Sequence, residues 1–154
     1  MKDEYSEQYM RLALSIASQD ENEVPVGAVI VRDGQLIASA HNEREGDPPD
    51  PLGHAEVLAL RRAAAALGVR RLTGCSIYVT LEPCPMCAGA LVESGISACY
   101  FGARDPEQGC CGSVYDLTSD PAFSHRVLTA GGYLKEEAEA QIRTFFERKR
   151  NSRG

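Results

Sequence analysis

The chain of 154 residues is 44% hydrophobic and 25% charged, which fits one soluble domain whose core needs no disulfide staples. Its formal charge of −6 excludes a protein that coats nucleic acid through bulk positive charge. No apolar run approaches the ~18 residues of a membrane span, and the opening MKDEYSEQYM lacks the apolar stretch of a secretory signal, so a cytoplasmic protein is expected.

Residues 6–19 place Tyr9, Leu12, Ala13, Ile16 and Ala17 on one face, which is helical periodicity. Residues 26–31 form a short β-branched run, Asp33-Gly34 signals a hairpin turn, and residues 35–40 continue the apolar character. The polar stretch 42–53 carries Pro48, Pro49 and Pro51 and reads as a loop. Residues 54–67, rich in Ala, Leu and Arg, stop at Gly68 as a helix should. Residues 75–81 are a buried-type strand, after which Pro83 and Pro85 open a short helix that reaches Ser94 and ends at Gly95. A strand at 98–102, an irregular loop at 103–113, a last strand near 126–129 and a helix at 135–150 complete the chain. Strands alternating with helices predict an α/β protein, a three-layer α/β/α sandwich, and the initial hairpin makes its central sheet mixed. No internal repeat or linker interrupts the sequence, so residues 1–154 read as a single domain.

Six cysteines in a chain with a self-sufficient core read as reduced thiols or metal ligands. The sharpest feature is H-A-E at 54–56 combined with P-C-P-M-C at 83–87. Cys84 and Cys87 stand three residues apart at the start of a helix, where both thiolates face one ion and the helix dipole favours the charged form. His54 supplies a nitrogen as third ligand, which leaves a fourth tetrahedral position for water, the pattern of a catalytic zinc site. Glu56 lies about 200° around an ideal helix from His54. It is therefore expected beside the ion as a proton shuttle rather than a fourth ligand. A thioredoxin-like reading of the C-x-x-C needs neither the histidine nor the glutamate and is disfavoured.

H-x-E followed by P-C-x-x-C is the pattern of zinc deaminases that act on nucleobases. With it, the chain resembles the cytidine-deaminase superfamily and, within it, the bacterial tRNA-specific adenosine deaminases. The segments that carry the likeness are VPVGAVIV (24–31), AHN (40–42), GHAEVLAL (53–60), YVTLEPCPMCAGAL (78–91), FGARDPEQGCCGS (101–113) and TFFERKR (144–150). The resemblance implies the deaminase fold, one catalytic zinc ion per subunit, a homodimer, and conversion of adenosine to inosine at the wobble position of a tRNA anticodon loop. It carries over His54, Cys84 and Cys87 as zinc ligands and Glu56 as general acid and base. It also implies that Asn42 hydrogen-bonds the target base, that Val26 packs against it, and that the Ala55 backbone lies along its edge. Asp105 matches a contact to the tRNA backbone, and Phe145 and Phe146 match the helix that meets the anticodon loop. Where related chains read P-T-A before H-A-E, this one has Pro51-Leu52-Gly53 in a loop about one residue longer, and where they read F-N-H it has Phe123-Ser124-His125.

Plainer readings stand beside these. Cys75 and Cys99, in strand-like runs, read as buried small hydrophobes, and Cys110-Cys111 as structural or incidental thiols. Asn42 also suits a turn or cap, and of Phe145 and Phe146 at least one should pack into the core. Two other functions share the motifs: deamination of a free purine such as guanine, and a non-catalytic zinc protein that binds RNA. Charge is polarised: residues 1–23 carry two basic against six acidic side chains, and residues 141–154 five basic against one acidic. The basic end falls where the resemblance places RNA.

Overall fold

Alternation along three central strands decides the layering. In β1 (Gly27–Arg32), β3 (Ser76–Leu81) and β4 (Ala98–Ala103), nearly every residue is buried, so both faces of the sheet must be covered. One face carries Ala28, Ile30, Ile77, Val79, Cys99 and Phe101, and the other Val29, Val31, Tyr78, Ala98 and Tyr100. The computed structural model describes residues 4–153; Lys2 and Asp3 of the acidic N-terminal stretch lie outside them.

The sheet order is β2-β1-β3-β4-β5, with β2 at Gln35–His41 and β5 at Leu128–Ala130. β1 runs antiparallel to both β2 and β3, whereas β3, β4 and β5 are parallel, so the sheet is mixed as expected. Asp33 and Gly34 both take positive φ, 52° and 73°, the mirror-image turn that suits a two-residue hairpin. α1 (Glu7–Ala17) and α4 (Lys135–Arg153) cover one face, α1 over β1 and β3 and α4 over β4 and β3. Gln141 Nε2 ties them by donating to the Leu14 carbonyl at 2.7 Å. α2 (Ala55–Leu67) and α3 (Pro85–Ser94) cover the other face and touch each other. The three-layer sandwich is thus the fold, and element ends differ from the sequence reading by at most three residues, as fraying ends do.

The core between the sheet and the α2–α3 layer includes Ile30, Ile77, Leu91 and Phe101, all fully buried. Each such side chain contributes about 1.5–3 kcal/mol relative to exposure. Under α1 and α4, Tyr5, Tyr78, Tyr100 and Tyr133 form a ring cluster with centroids 3.9–5.8 Å apart. Tyr78 and Tyr100 read in sequence only as strand residues; the cluster depends on Tyr5 and Tyr133, remote in the chain. Cys75 and Cys99 are buried, as expected, and so are Cys110 and Cys111. Among the described residues no helix is long and apolar enough to cross a membrane.

Candidate active site

Two helices on one face of the sheet begin side by side. His54 is the residue before the first turn of α2 and Cys84 holds the same place before α3, both with extended backbone (φ −77°, ψ 144° and φ −73°, ψ 176°). Cys87 follows inside α3, with Pro85 at its start. His54 Nδ1 stands 3.7 Å from Cys84 Sγ, and the ligand atoms of His54, Cys84 and Cys87 all lie within 4.8 Å of one another. Two ligands bound tetrahedrally to one zinc, at ordinary Zn–N and Zn–S lengths, stand about 3.6 Å apart. One nitrogen and two sulfurs at this spacing therefore fit zinc.

Glu56, in the first turn of α2, is 4% exposed and faces the same space. Because His54 lies off the helix in extended backbone, the angular separation of a regular helix does not apply, and both side chains reach one point. Burial pushes the Glu56 carboxyl up to about 7; its own backbone N–H opposes the rise and nearby Cys84 adds to it. The Cys87 thiol, donating to Cys84, lowers the latter to about 5, helped by the N–H groups of Cys87 and Met86 and by His54 against burial. Cys87 moves upward, because its proton is held by Cys84 and its surroundings are buried. The pair shares one proton readily, which suits a site built to bind a cation.

His54, Glu56 and Cys84 sit on a cavity of about 550 Å³, lined also by Val26, Asn42, Arg104, Asp105, Arg143 and Phe146. Val26 is buried on its wall. Asn42 is 5% exposed and spends its side chain locally: Oδ1 accepts from Ala55 N–H at 2.9 Å, and Nδ2 donates to the Val24 carbonyl at 3.2 Å. The residue before the first turn of α2 is His54, and Asn42 fixes the start of the helix that carries Glu56 from 13 residues away. One amide hydrogen and one lone pair remain for a ligand. Ala55 is fully buried, its N–H is given to Asn42, and it does not line the cavity. Asp105 lines the wall while its Oδ1 accepts from Glu107 and Gln108 N–H.

On α4 the two phenylalanines divide as adjacent helix residues must. Phe145 is 5% exposed and faces away from the cavity, whereas Phe146 is 43% exposed and lines it; the rings meet edge to face at 5.2 Å. His125 Nε2 donates to the Ile96 carbonyl, 2.7 Å away, which gives it a structural role. The segment 45–53 stays off the cavity, which touches only its flanks at Arg44 and His54. At Gly53 the loop closes on itself: Glu43 N–H donates to the Gly53 carbonyl at 2.8 Å, and a Cβ on Gly53 would stand 2.3 Å from the Glu43 oxygen. The Gly53 in place of alanine is thus a backbone requirement of this longer loop. Sequence reasoning singled out no role for Arg104, Arg143 or Glu82; their signal was only their place beside motif residues.

A sandwich of this order, with a His-Cys-Cys donor set and a buried glutamate at two adjacent helix starts, is the architecture of a zinc-dependent deaminase. The chain belongs to the cytidine and deoxycytidylate deaminase family, whose zinc-binding region matches residues 3–103. It is 43% identical to the tRNA-specific adenosine deaminase of Bacillus subtilis, over 96% of this chain and 92% of that one. It is 42% identical to the tRNA-specific adenosine deaminase of Aquifex aeolicus, over 95% of this chain and 97% of that one. A structure solved in work on A-to-I editing by tRNA:A34 deaminases at the wobble position of transfer RNA superposes with a TM-score of 0.82. That likeness covers 88% of this chain and 99% of the other at 38% identity.

Proposed function

We propose that the protein hydrolyses the exocyclic amine of an adenosine in a tRNA anticodon loop at the wobble position, leaving inosine and ammonia. The observation that carries this reading is the composition of one cavity: His54, Glu56 and Cys84 line it together with Arg104, Arg143 and the half-exposed ring of Phe146. The first group suits hydrolysis. The second suits phosphates and a stacked neighbouring base, which a free purine would not need. The near full-length likeness to named tRNA-specific adenosine deaminases supports the same choice.

His54, Cys84 and Cys87 hold the zinc ion, and the chemistry such an ion supplies when bound is acidification of a water placed next to the base. Glu56 takes one proton of that water as its oxygen adds at C6 of adenine and delivers that proton to N1. It then takes the proton left on the C6 hydroxyl and passes it to the amine, so that the C6–N bond breaks, ammonia leaves and the C6 carbonyl forms. Burial raises the Glu56 carboxyl and favours the protonated form that donates, whereas a cation held beside it would favour the carboxylate that accepts. Val26 packs on the base, and the free hydrogen and lone pair of Asn42 meet its edge. The Ala55 backbone acts through Asn42. Asp105 borders the flipped nucleotide, Phe146 stacks, and Phe145 seats Phe146. Adenine must leave its stack to reach this depth, which costs least in a single-stranded loop.

We infer further that residues 1–154 act as one cytoplasmic domain and pair as a homodimer; the exposed side chains of Val114, Tyr115 and Phe123 support an assembly. Light scattering after size exclusion reads the mass directly. For the reaction, zinc-loaded protein is incubated with an anticodon stem-loop bearing adenosine at the wobble position, and the digested nucleosides are analysed by mass spectrometry. Inosine is expected. Ammonia release from guanine with the RNA unmodified would replace this reading with free-purine deamination.

A further inference from the structure

Glu82 lies two residues before Cys84 and borders the cavity, yet it is only 2% exposed and is not one of the metal-binding triad. Its Oε1 accepts from Asp105 N–H at 3.0 Å and from the Ser113 hydroxyl. Its Oε2 accepts from Cys111 N–H at 3.1 Å and Ser113 N–H at 3.0 Å. A carboxylate offers about four lone-pair sites. All are occupied by the protein, so none is left for a base or a water.

The donors belong to the segment that leaves β4 and forms one wall of the cavity through Arg104, Asp105 and Gln108. That segment has no regular secondary structure beyond an isolated bridge between Cys111 and Asp116. It is wrapped on the Glu82-Pro83 corner: Cys110 N–H donates to the Pro83 carbonyl at 2.9 Å, and Gly109 N–H to the Asp105 carbonyl at 2.8 Å. A Cβ on Gly109 would stand 2.4 Å from Glu82 Cδ, so the wall approaches the carboxylate as closely as only glycine permits. Hydrogen bonds to an ionised acceptor are about twice as strong as neutral ones. In a wall without helix or strand, they and the Cys110–Pro83 bond tie it to the corner that follows β3.

We propose that Glu82 is a positioning residue, which sets the substrate-facing wall 104–113 against the cavity through its backbone and never touches the substrate. The kinetic part of the test rests on the deaminase reading above; the structural part does not.

The experiment uses zinc-loaded Glu82→Gln, whose amide keeps the shape but turns a donor toward N–H groups. Amide hydrogen exchange at Asp105, Cys111 and Ser113 is expected to speed up about tenfold or more. Zinc should stay at one per chain. On the anticodon stem-loop, KM is expected to rise about tenfold with kcat changed by less than about threefold. Gly109→Ala, which leaves the Glu82 carboxylate intact and displaces the wall, should give the same split. Unchanged exchange at the three amides would overturn the proposal. So would a collapse of kcat at constant KM, which would make Glu82 part of the chemistry, or a loss of zinc. If Glu82→Gln does not fold, Ser113→Ala removes one bond of the four: faster exchange at Asp105 and Cys111 supports the proposal and unchanged exchange rejects it. If the parent protein makes no inosine, the deaminase reading fails while the exchange arm still decides the role of Glu82.

Discussion

His54 and Cys84, thirty residues apart in the chain, occupy the same position on two different helices, and their ligand atoms stand 3.7 Å apart. Both helices therefore aim their N-terminal N–H groups and the positive ends of their dipoles at one spot. That field favours the thiolate at Cys84, and it disfavours a second bound cation. The buried carboxyl of Glu56 enters the same field from the first turn of α2, which keeps it within reach of a proton it can lose.

Removing that carboxyl separates chemistry from metal binding. Glu56→Ala is expected to lower kcat by roughly 10²–10⁴-fold, the range of positioned acid–base catalysis. Zinc content by atomic absorption should remain one per chain, since Glu56 is outside the donor set. Full activity in the variant would remove Glu56 from the mechanism.

Asn42 braces the helix start on which Glu56 sits. Asn42→Ala leaves the buried Ala55 N–H without its partner, at a cost of about 1–3 kcal/mol, whereas the half-buried Val24 carbonyl keeps the Val26 N–H. Chemical denaturation of the zinc-free protein should show that loss. A variant as stable as the parent would mean that the brace is dispensable and that only the base contact matters.

The adjacent phenylalanines should respond oppositely. Phe145→Ala is expected to destabilise the fold by about 3–5 kcal/mol, because it empties a buried site. Phe146→Ala should barely change stability and should weaken stem-loop binding by about 1–3 kcal/mol, the worth of one stacked base. Denaturation curves and fluorescence anisotropy of labelled RNA measure the two effects separately.

Thiol chemistry tests the electrostatics of the site. With zinc removed, Cys84 has its ionisation lowered to about 5 and is a thiolate at pH 7, whereas Cys99 and Cys110 are raised by their surroundings and stay protonated. Only thiolates alkylate rapidly. Mass mapping after brief iodoacetamide treatment at pH 7 should find the label on Cys84, the rate falling as pH drops through about 5. Added zinc should abolish it. Labelling at Cys99 or Cys110 first would contradict this arrangement.

Much of the site was legible because its ligands are local motifs. His54 and Glu56 are separated by one residue, and Cys84 and Cys87 by two; the resemblance then joined the two halves. The sandwich was legible for a similar reason, since strands buried on both faces read as unbroken apolar runs. Other features depend on meetings between distant segments. The division of labour between Phe145 and Phe146 follows from how α4 is rotated against the sheet. The duty of Asn42 toward Ala55 and Val24 is a contact across a turn that sequence spacing does not reveal. Gly53 could be seen to depart from the usual alanine, but the reason is a carbonyl ten residues earlier. Glu82 was quoted inside a motif without a function of its own, because its partners lie 23 to 31 residues downstream.

Three of the four bonds that Glu82 accepts come from backbone N–H groups, which every residue except proline possesses. The clamp itself is therefore blind to the side chains at 105 and 111, although Asp105 Oδ1 separately holds the Glu107 and Gln108 N–H groups and Cys111 is packed in the core. The chemistry-bearing corner and the substrate-reading surface are thus mechanically joined and yet mutable apart. Proline at 105, 111 or 113 is barred, and so is bulk at 109. Within those limits the wall is a cassette, and a library of replacements at its outward positions should retune which base or neighbour is accepted without disturbing the metal centre.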